Sequence, residues 1–183
     1  MKITFLGTNG WYDTAIGNTP SVFIETNTEY IILDAGFGFY KAKELIAPEK
    51  AVHLFISHFH LDHIIGLHTL PIFKLSQGID IYVPAGGEKV LRSLLRRPFS
   101  TPPLLLATKI RFHDIRKIKK LAFGFEYARL RHSVPCNGFR FTQDGTAVTY
   151  CTDTGICNSL KRIARSADLA RRFKLLQIPV SVQ

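Results

Sequence analysis

Ser57-His58-Phe59-His60-Leu61-Asp62-His63 gathers three imidazoles and a carboxylate within one short stretch. In an extended loop alternate residues point to the same side, so His58, His60 and Asp62 can converge. A turn at His63 then brings a fourth group alongside. Imidazole nitrogen and carboxylate oxygen are the donors that Zn²⁺ takes, with Mn²⁺ the other candidate, and two such ions can share one carboxylate. A packing role is a poor explanation of such a cluster, because charged and strongly polar side chains are seldom buried unless they are paired.

The stretch follows an apolar run, Val52 to Ile56, interrupted only by His53. That pattern predicts a strand buried on both faces. A loop leaving the end of such a strand can aim side chains into a cleft while the sheet holds its base still. Around it the chain reads as alternating strands and helices. Strands are expected at Lys2 to Leu6, Ser21 to Glu25, Tyr30 to Leu33, Ile79 to Val83, Lys109 to His113, Phe123 to Leu130 and Phe139 to Thr142. Helices are expected at Phe39 to Leu45, Ile64 to Leu75, Glu88 to Leu95 and Asn158 to Arg165, and an irregular, proline-containing loop at 96–107. Asp144-Gly145 is the strongest hairpin signal, since a two-residue turn needs positive φ at its centre. The arm after it, Thr146 to Cys151, delivers Thr152-Asp153-Thr154.

Two residues far from the loop have ordinary readings when taken alone. His132 would be a polar residue at a strand end, and Asp153 a turn carboxylate bonded to its own backbone. Their context changes that. Phe5-Leu6-Gly7-Thr8, Leu33-Asp34-Ala35-Gly36, the histidine loop, His132 ahead of Gly138-Phe139-Arg140, and Tyr150-Cys151-Thr152-Asp153-Thr154-Gly155 occur in one order. This order resembles the metallo-β-lactamase superfamily, and within it the ribonuclease Z-like branch, over about residues 1 to 169. The resemblance implies an α/β fold, the four-layer αββα sandwich of two facing mixed sheets with helices outside. It also implies that His58, His60 and His132 hold one metal, that Asp62 and His63 hold a second, and that Asp153 bridges them. Asp62 would in addition orient the attacking water, making it the catalytic carboxylate. Thr8, Asn9 and Ser133 would lie on loops facing the cleft, as candidate substrate contacts.

The remaining histidines, His53, His68 and His113, lack motif context and read as structural or surface residues. Cys151 reads as packing, since buried thiols behave as small hydrophobes. Gly36-Phe37-Gly38 lacks the third glycine of a dinucleotide loop.

The chain of 183 residues fits one domain, 1–183, and its 46% hydrophobic and 21% charged residues exclude a disordered polyelectrolyte. No run approaches the roughly 20 apolar residues of a membrane span, and the start is too soon broken for a signal peptide. The three cysteines follow no framework spacing. Together these features point to a cytoplasmic protein with reduced thiols. The net charge of +10 suits an anionic partner. From Asn158 onward, however, six basic residues face one acid, so the tail supplies +5 of it.

The resemblance fails after Ser166-Ala167-Asp168-Leu169. Similar proteins continue into an apolar strand and two more histidines, whereas here Arg171-Arg172 intervene and no histidine follows His132. Residues 170–183 are therefore expected to be a divergent tail, from truncation or a frameshift, leaving the sandwich incomplete at its C-terminus. A weaker second metal site and an exposed sheet edge inviting a homodimer would follow. The functional expectation is a metal-dependent hydrolase acting on RNA, as in transfer-RNA 3′ processing, or on a small phosphodiester or ester. The alternatives are a metal-binding remnant without turnover and a basic nucleic-acid module.

Overall fold

The computed structural model describes residues 1–171. Its first sheet contains β1 (Lys2–Gly7), β2 (Ser21–Glu25), β3 (Glu29–Leu33), β4 (Ala51–Phe55), β5 (Ile79–Val83) and β6 (Ile110–Asp114), side by side in chain order. The first three strands are antiparallel, and β3 through β6 are parallel. The second sheet contains β7 (Gly124–Leu130), β8 (Cys136–Gln143), β9 (Thr146–Tyr150) and β10 (Leu169–Arg171). Here β7, β8 and β9 are antiparallel, while β10 runs parallel to β9. Both sheets are mixed, as expected.

Side-chain alternation sets the layers. From β3, Ile31 and Leu33 enter the core between the sheets, while Tyr30 and Ile32 enter the core on the opposite face. The inter-sheet core is largely aromatic: Phe55 stacks on Tyr82 at 4.4 Å between centroids and meets Phe141 edge-on at 5.0 Å. The outer face of the first sheet is covered by 3₁₀ helices at Phe37–Glu44 and Ile65–Ile72, by α1 (Leu61–Ile64) and by α2 (Gly87–Leu94). On the outer face of the second sheet, Ile163 and Leu160 of α3 (Asn158–Ile163) pack on Ala128, Leu130, Cys136 and Cys151. The result is the four-layer α/β/β/α arrangement.

Two helical expectations need correction. Phe39 to Leu45 falls in a 3₁₀ helix over Phe37–Glu44, and Ile64 to Leu75 divides into the end of α1 and a 3₁₀ helix containing Pro71. The second break has a visible cause. The Gly66 amide, which would bond Asp62 in a continuous α-helix, donates instead to the Ala35 carbonyl at 2.8 Å, and the His63 carbonyl accepts from the Ala35 amide. A Cβ on Gly66 would lie 2.1 Å from the Gly36 carbonyl oxygen, so only glycine permits this approach. The Asp144-Gly145 hairpin forms as expected, with φ of 51° and 77° and Gln143 paired to Thr146. The loop at 96–107 contains a short 3₁₀ turn, Pro103–Leu105.

Leu169–Arg171 forms a strand, so the backbone stays within the sheet past Ala170, where divergence was expected to begin. The rest of the expected tail, 172–183, lies outside the described residues. No helix among the described residues is long and apolar enough to cross a membrane.

Candidate metal centre

The histidine loop leaves the C-terminal end of β4, and the structure brings all six expected ligands together. His58, His60, His132 and Asp153 each offer one donor atom, and these atoms lie within 4.8 Å of one another. Asp62, His63 and Asp153 form a second such group. His60 Nδ1 is 3.1 Å from both His58 Nε2 and His132 Nε2. Asp153 Oδ2 stands between the groups, 3.3 Å from His63 Nε2, 3.7 Å from His58 Nε2 and 3.9 Å from His132 Nε2.

Local backbone explains the convergence. Asp153 leaves β9 with φ of 44°, a left-handed conformation that aspartate tolerates better than most residues, and Thr152 Oγ1 donates to its Oδ1 at 2.9 Å. His132 is pinned beside it. Arg131 and Gly155 form an isolated antiparallel bridge, and the Arg131 amide donates to Thr154 Oγ1 at 3.2 Å.

Beneath the cluster lies a residue whose role the sequence reading missed. Asp34, fully buried at the end of β3, accepts hydrogen bonds from Ser57 N and Oγ at 2.7 Å each, from His63 Nδ1 at 2.7 Å and from Tyr150 OH at 2.8 Å. His58 Nδ1 in turn donates to Ser57 Oγ at 2.9 Å. These bonds occupy Nδ1 of both rings and turn both Nε2 atoms into the cluster, as outer hydrogen-bond partners do behind metal-bound histidines. An aspartate directly after a buried apolar strand was the available signal, but beside glycine it reads equally as a turn residue.

The electrostatics call for positive charge at this place. His63 Nε2 is buried, has no well-formed hydrogen bond, and lies 3.5 Å from Asp62 Oδ2 as well as 3.3 Å from Asp153 Oδ2. Burial opposes charge on His63, yet the Asp34 and Asp153 carboxylates outweigh it and hold its pKa up at about 10. Burial opposes the Asp153 carboxylate as well, but His63 beside it holds its pKa down at about 2. His58 behaves oppositely. Burial and the neighbouring His63 charge push its pKa down to about 3, which leaves its lone pair free. Convergent imidazole nitrogens, two carboxylates and an orphaned buried nitrogen fit a divalent cation of the zinc type, which would replace the proton on His63.

The expected substrate contacts fare differently. Thr8 and Ser133 are exposed, but the Asn9 amide is engaged within its own loop, donating to Thr14 Oγ1 at 2.9 Å and to the Gly17 carbonyl at 2.8 Å. Asn9 braces that loop. The loop residue that reaches the centre is Trp11, whose backbone amide donates to Asp62 Oδ2 at 2.9 Å. Cys151 packs under α3, and Cys136 lies beneath His58 with its thiol pKa pushed up by burial. A separate groove of about 610 Å³ opens where β5 and β6 end, lined in part by Lys89, Arg92, Arg96 and Lys117. None of the six candidate ligands lines it.

Residues 29–182 match the family model described as the beta-lactamase superfamily domain. The chain belongs to that family. This superfamily chain is 33% identical over 153 residues to ribonuclease Z of Pyrococcus horikoshii, a match covering 78% of this chain and 48% of the relative. It thus spans about half the length of the curated relatives it matches. Among solved structures, the metallo-beta-lactamase fold protein YhfI of Bacillus subtilis superposes with a TM-score of 0.74 at 20% identity, covering 92% of this chain and 68% of that one. The short form of human tRNase Z gives 0.72 at 20% identity, with 93% and 76% covered. These likenesses establish the metallo-β-lactamase fold.

Proposed function

We propose that this chain is a metal-dependent hydrolase of phosphodiesters, with RNA as the substrate class and transfer-RNA 3′ processing as the specific candidate. His58, His60, His132 and Asp153 would hold one zinc-like ion, and Asp62, His63 and the shared Asp153 a second. When bound, such ions acidify a water molecule toward neutral pH and offset negative charge on the attacked centre. The protein supplies the rest. Asp34 and Ser57 fix the tautomers of His63 and His58, and Asp62 orients the attacking water. The groove, where Lys89, Arg92, Arg96 and Lys117 outnumber Glu88 and Asp114, suits a polyanion better than a neutral ester.

The observation that carries this reading is the meeting of His58, His60, His132 and Asp153, drawn from three separate segments, with their donor atoms within 4.8 Å of one another. The test is to count metal per chain and measure hydrolysis of bis(p-nitrophenyl) phosphate with Zn²⁺ or Mn²⁺, and again in His60→Ala. Turnover abolished by the substitution supports the reading; turnover indifferent to it or to chelation refutes it. One asymmetry favours a second reading, a metal-binding protein without turnover: the second group has three members and shares Asp153 with the first. Metal bound stoichiometrically with no hydrolysis of any diester would establish that alternative.

A further inference from the structure

Trp11, the single tryptophan of the chain, is 72% exposed and has φ of 67°. A bulky residue in left-handed backbone costs roughly 1–2 kcal/mol, and such outliers persist only where surrounding bonds impose them. The surrounding bonds are present. Asn9 spans the loop through its two side-chain donations, Thr14 and Gly17 form a bridge, and Asp13 Oδ1 accepts from the Thr19 amide at 2.6 Å. The Trp11 amide is then tied to Asp62 Oδ2, which lies 3.5 Å from His63 Nε2. A braced loop therefore holds the Trp11 backbone against a candidate metal ligand and leaves the indole open to solvent. Tyr12, next in the chain, is 69% exposed.

We propose that Trp11 is the stacking platform for the nucleobase adjoining the phosphodiester at the metal centre. This rests on the phosphodiester reading above and narrows it to substrates carrying a base. Every base presents a π-face, so an aromatic platform adds affinity without sequence preference, worth roughly 1–3 kcal/mol per base. A platform must be held at fixed distance from the reacting phosphate to help. The amide bond to Asp62 provides that tie through the backbone, so the ring can be changed while the tie remains.

The test compares two diesters sharing a p-nitrophenolate leaving group, one adenosine 5′-(p-nitrophenyl phosphate) and the other methyl p-nitrophenyl phosphate. In the parent protein the adenosyl diester should have the lower KM. Trp11→Ala should shrink the ratio of the two KM values by about 5- to 150-fold, and Trp11→Phe should restore most of it. A ratio unmoved in Trp11→Ala, or lost equally in Trp11→Phe, overturns the platform. A second readout needs no turnover: emission from the lone tryptophan should quench saturably with an adenosine tetranucleotide and stay unchanged with ribose 5-phosphate. Quenching with no hydrolysis of either diester would sink the hydrolase reading and leave the platform standing. Hydrolysis of both diesters with flat fluorescence would do the reverse.

Discussion

Two clusters of histidines and carboxylates draw on the first sheet, and they differ in how their imidazole nitrogens are satisfied. In one, His53 Nε2 donates to Glu29 Oε2 at 3.0 Å and Nδ1 accepts from Tyr82 OH at 3.1 Å. Tyr82 stacks on His113, whose Nε2 bonds Asp80 Oδ1 at 2.7 Å, and Arg111 grips both Asp80 oxygens at 2.7 and 2.8 Å. Each of those imidazole nitrogens meets a protein partner of its own. In the other cluster the Nδ1 atoms of His58 and His63 are satisfied by Ser57 and Asp34, while three ring nitrogens converge on one another and His63 Nε2 has no hydrogen bond. A satisfied histidine cluster holds structure; one whose ring nitrogens crowd together around a buried, unpaired one suits a cation.

The hardest break of that contrast is His60→Ala, which removes the nitrogen on which two others converge. Hydrolysis of bis(p-nitrophenyl) phosphate should fall by more than the 10–100-fold typical of losing an outer-shell partner. Thermal unfolding of the metal-free protein should barely move, because His60 is only half-buried. His53→Gln should reverse the pattern, lowering stability and leaving turnover within a few-fold. Equal losses of activity in the two variants would erase the distinction between the clusters.

Next in size is Asp34→Ala. It leaves the His63 charge, Tyr150 OH and Ser57 without their shared acceptor, and removal of one partner from a buried ionic network costs about 3–5 kcal/mol. At roughly 2–4 °C per kcal/mol for a chain of this size, the melting temperature should fall by about 6–20 °C. Zinc affinity, read by competition with a chelating dye, should fall about 10–100-fold. Intact affinity in this variant would show that the Nδ1 bonds do not orient the rings.

The positions where sequence reading succeeded and failed follow from the same contrast. The loop from His58 to His63 was legible because its donors are contiguous, and the Asp144-Gly145 turn because two residues carry the whole geometric demand. His132 and Asp153 became visible only through the order of motifs, since their approach to the loop depends on the pairing of β8 with β9 and on the Arg131–Gly155 bridge. Asp34 escaped because its bonds span from 23 residues, to Ser57, up to 116, to Tyr150, and nothing local records them. The break between α1 and the following 3₁₀ helix escaped for a related reason: tertiary bonds to Ala35 took the amide that periodicity assigns to the helix.

Metal addition offers a gentler separation. A ligand that binds only the folded state at 100 times its Kd stabilises it by about 2.7 kcal/mol. Zn²⁺ or Mn²⁺ should therefore raise the melting temperature by about 5–10 °C, and chelation should return it. The increment should persist in His53→Gln and vanish in His58→Ala. An increment of equal size in all three proteins would mean that the cation binds elsewhere.

Asp80→Asn carries the smallest effect and tests the structural cluster alone. Burial raises the Asp80 pKa, but hydrogen bonds from Arg111 and His113 outweigh it and hold the carboxyl below its ordinary value of 3.8. A folded-state pKa below the unfolded one contributes stability above the unfolded value, and the contribution is lost as pH falls through the folded one. Arg111 is about one-third exposed, so solvent screening reduces the pair, and about 1–2 kcal/mol is the expected loss at neutral pH. Urea unfolding of parent and variant should differ by that amount at pH 7, and the difference should begin to shrink below about pH 4, closing as pH falls through the depressed folded-state value. A difference constant from pH 7 to pH 3 would mean that Asp80 acts through shape rather than charge. The same variant should keep the full metal-induced rise in melting temperature, because no atom of its network reaches the candidate metal centre.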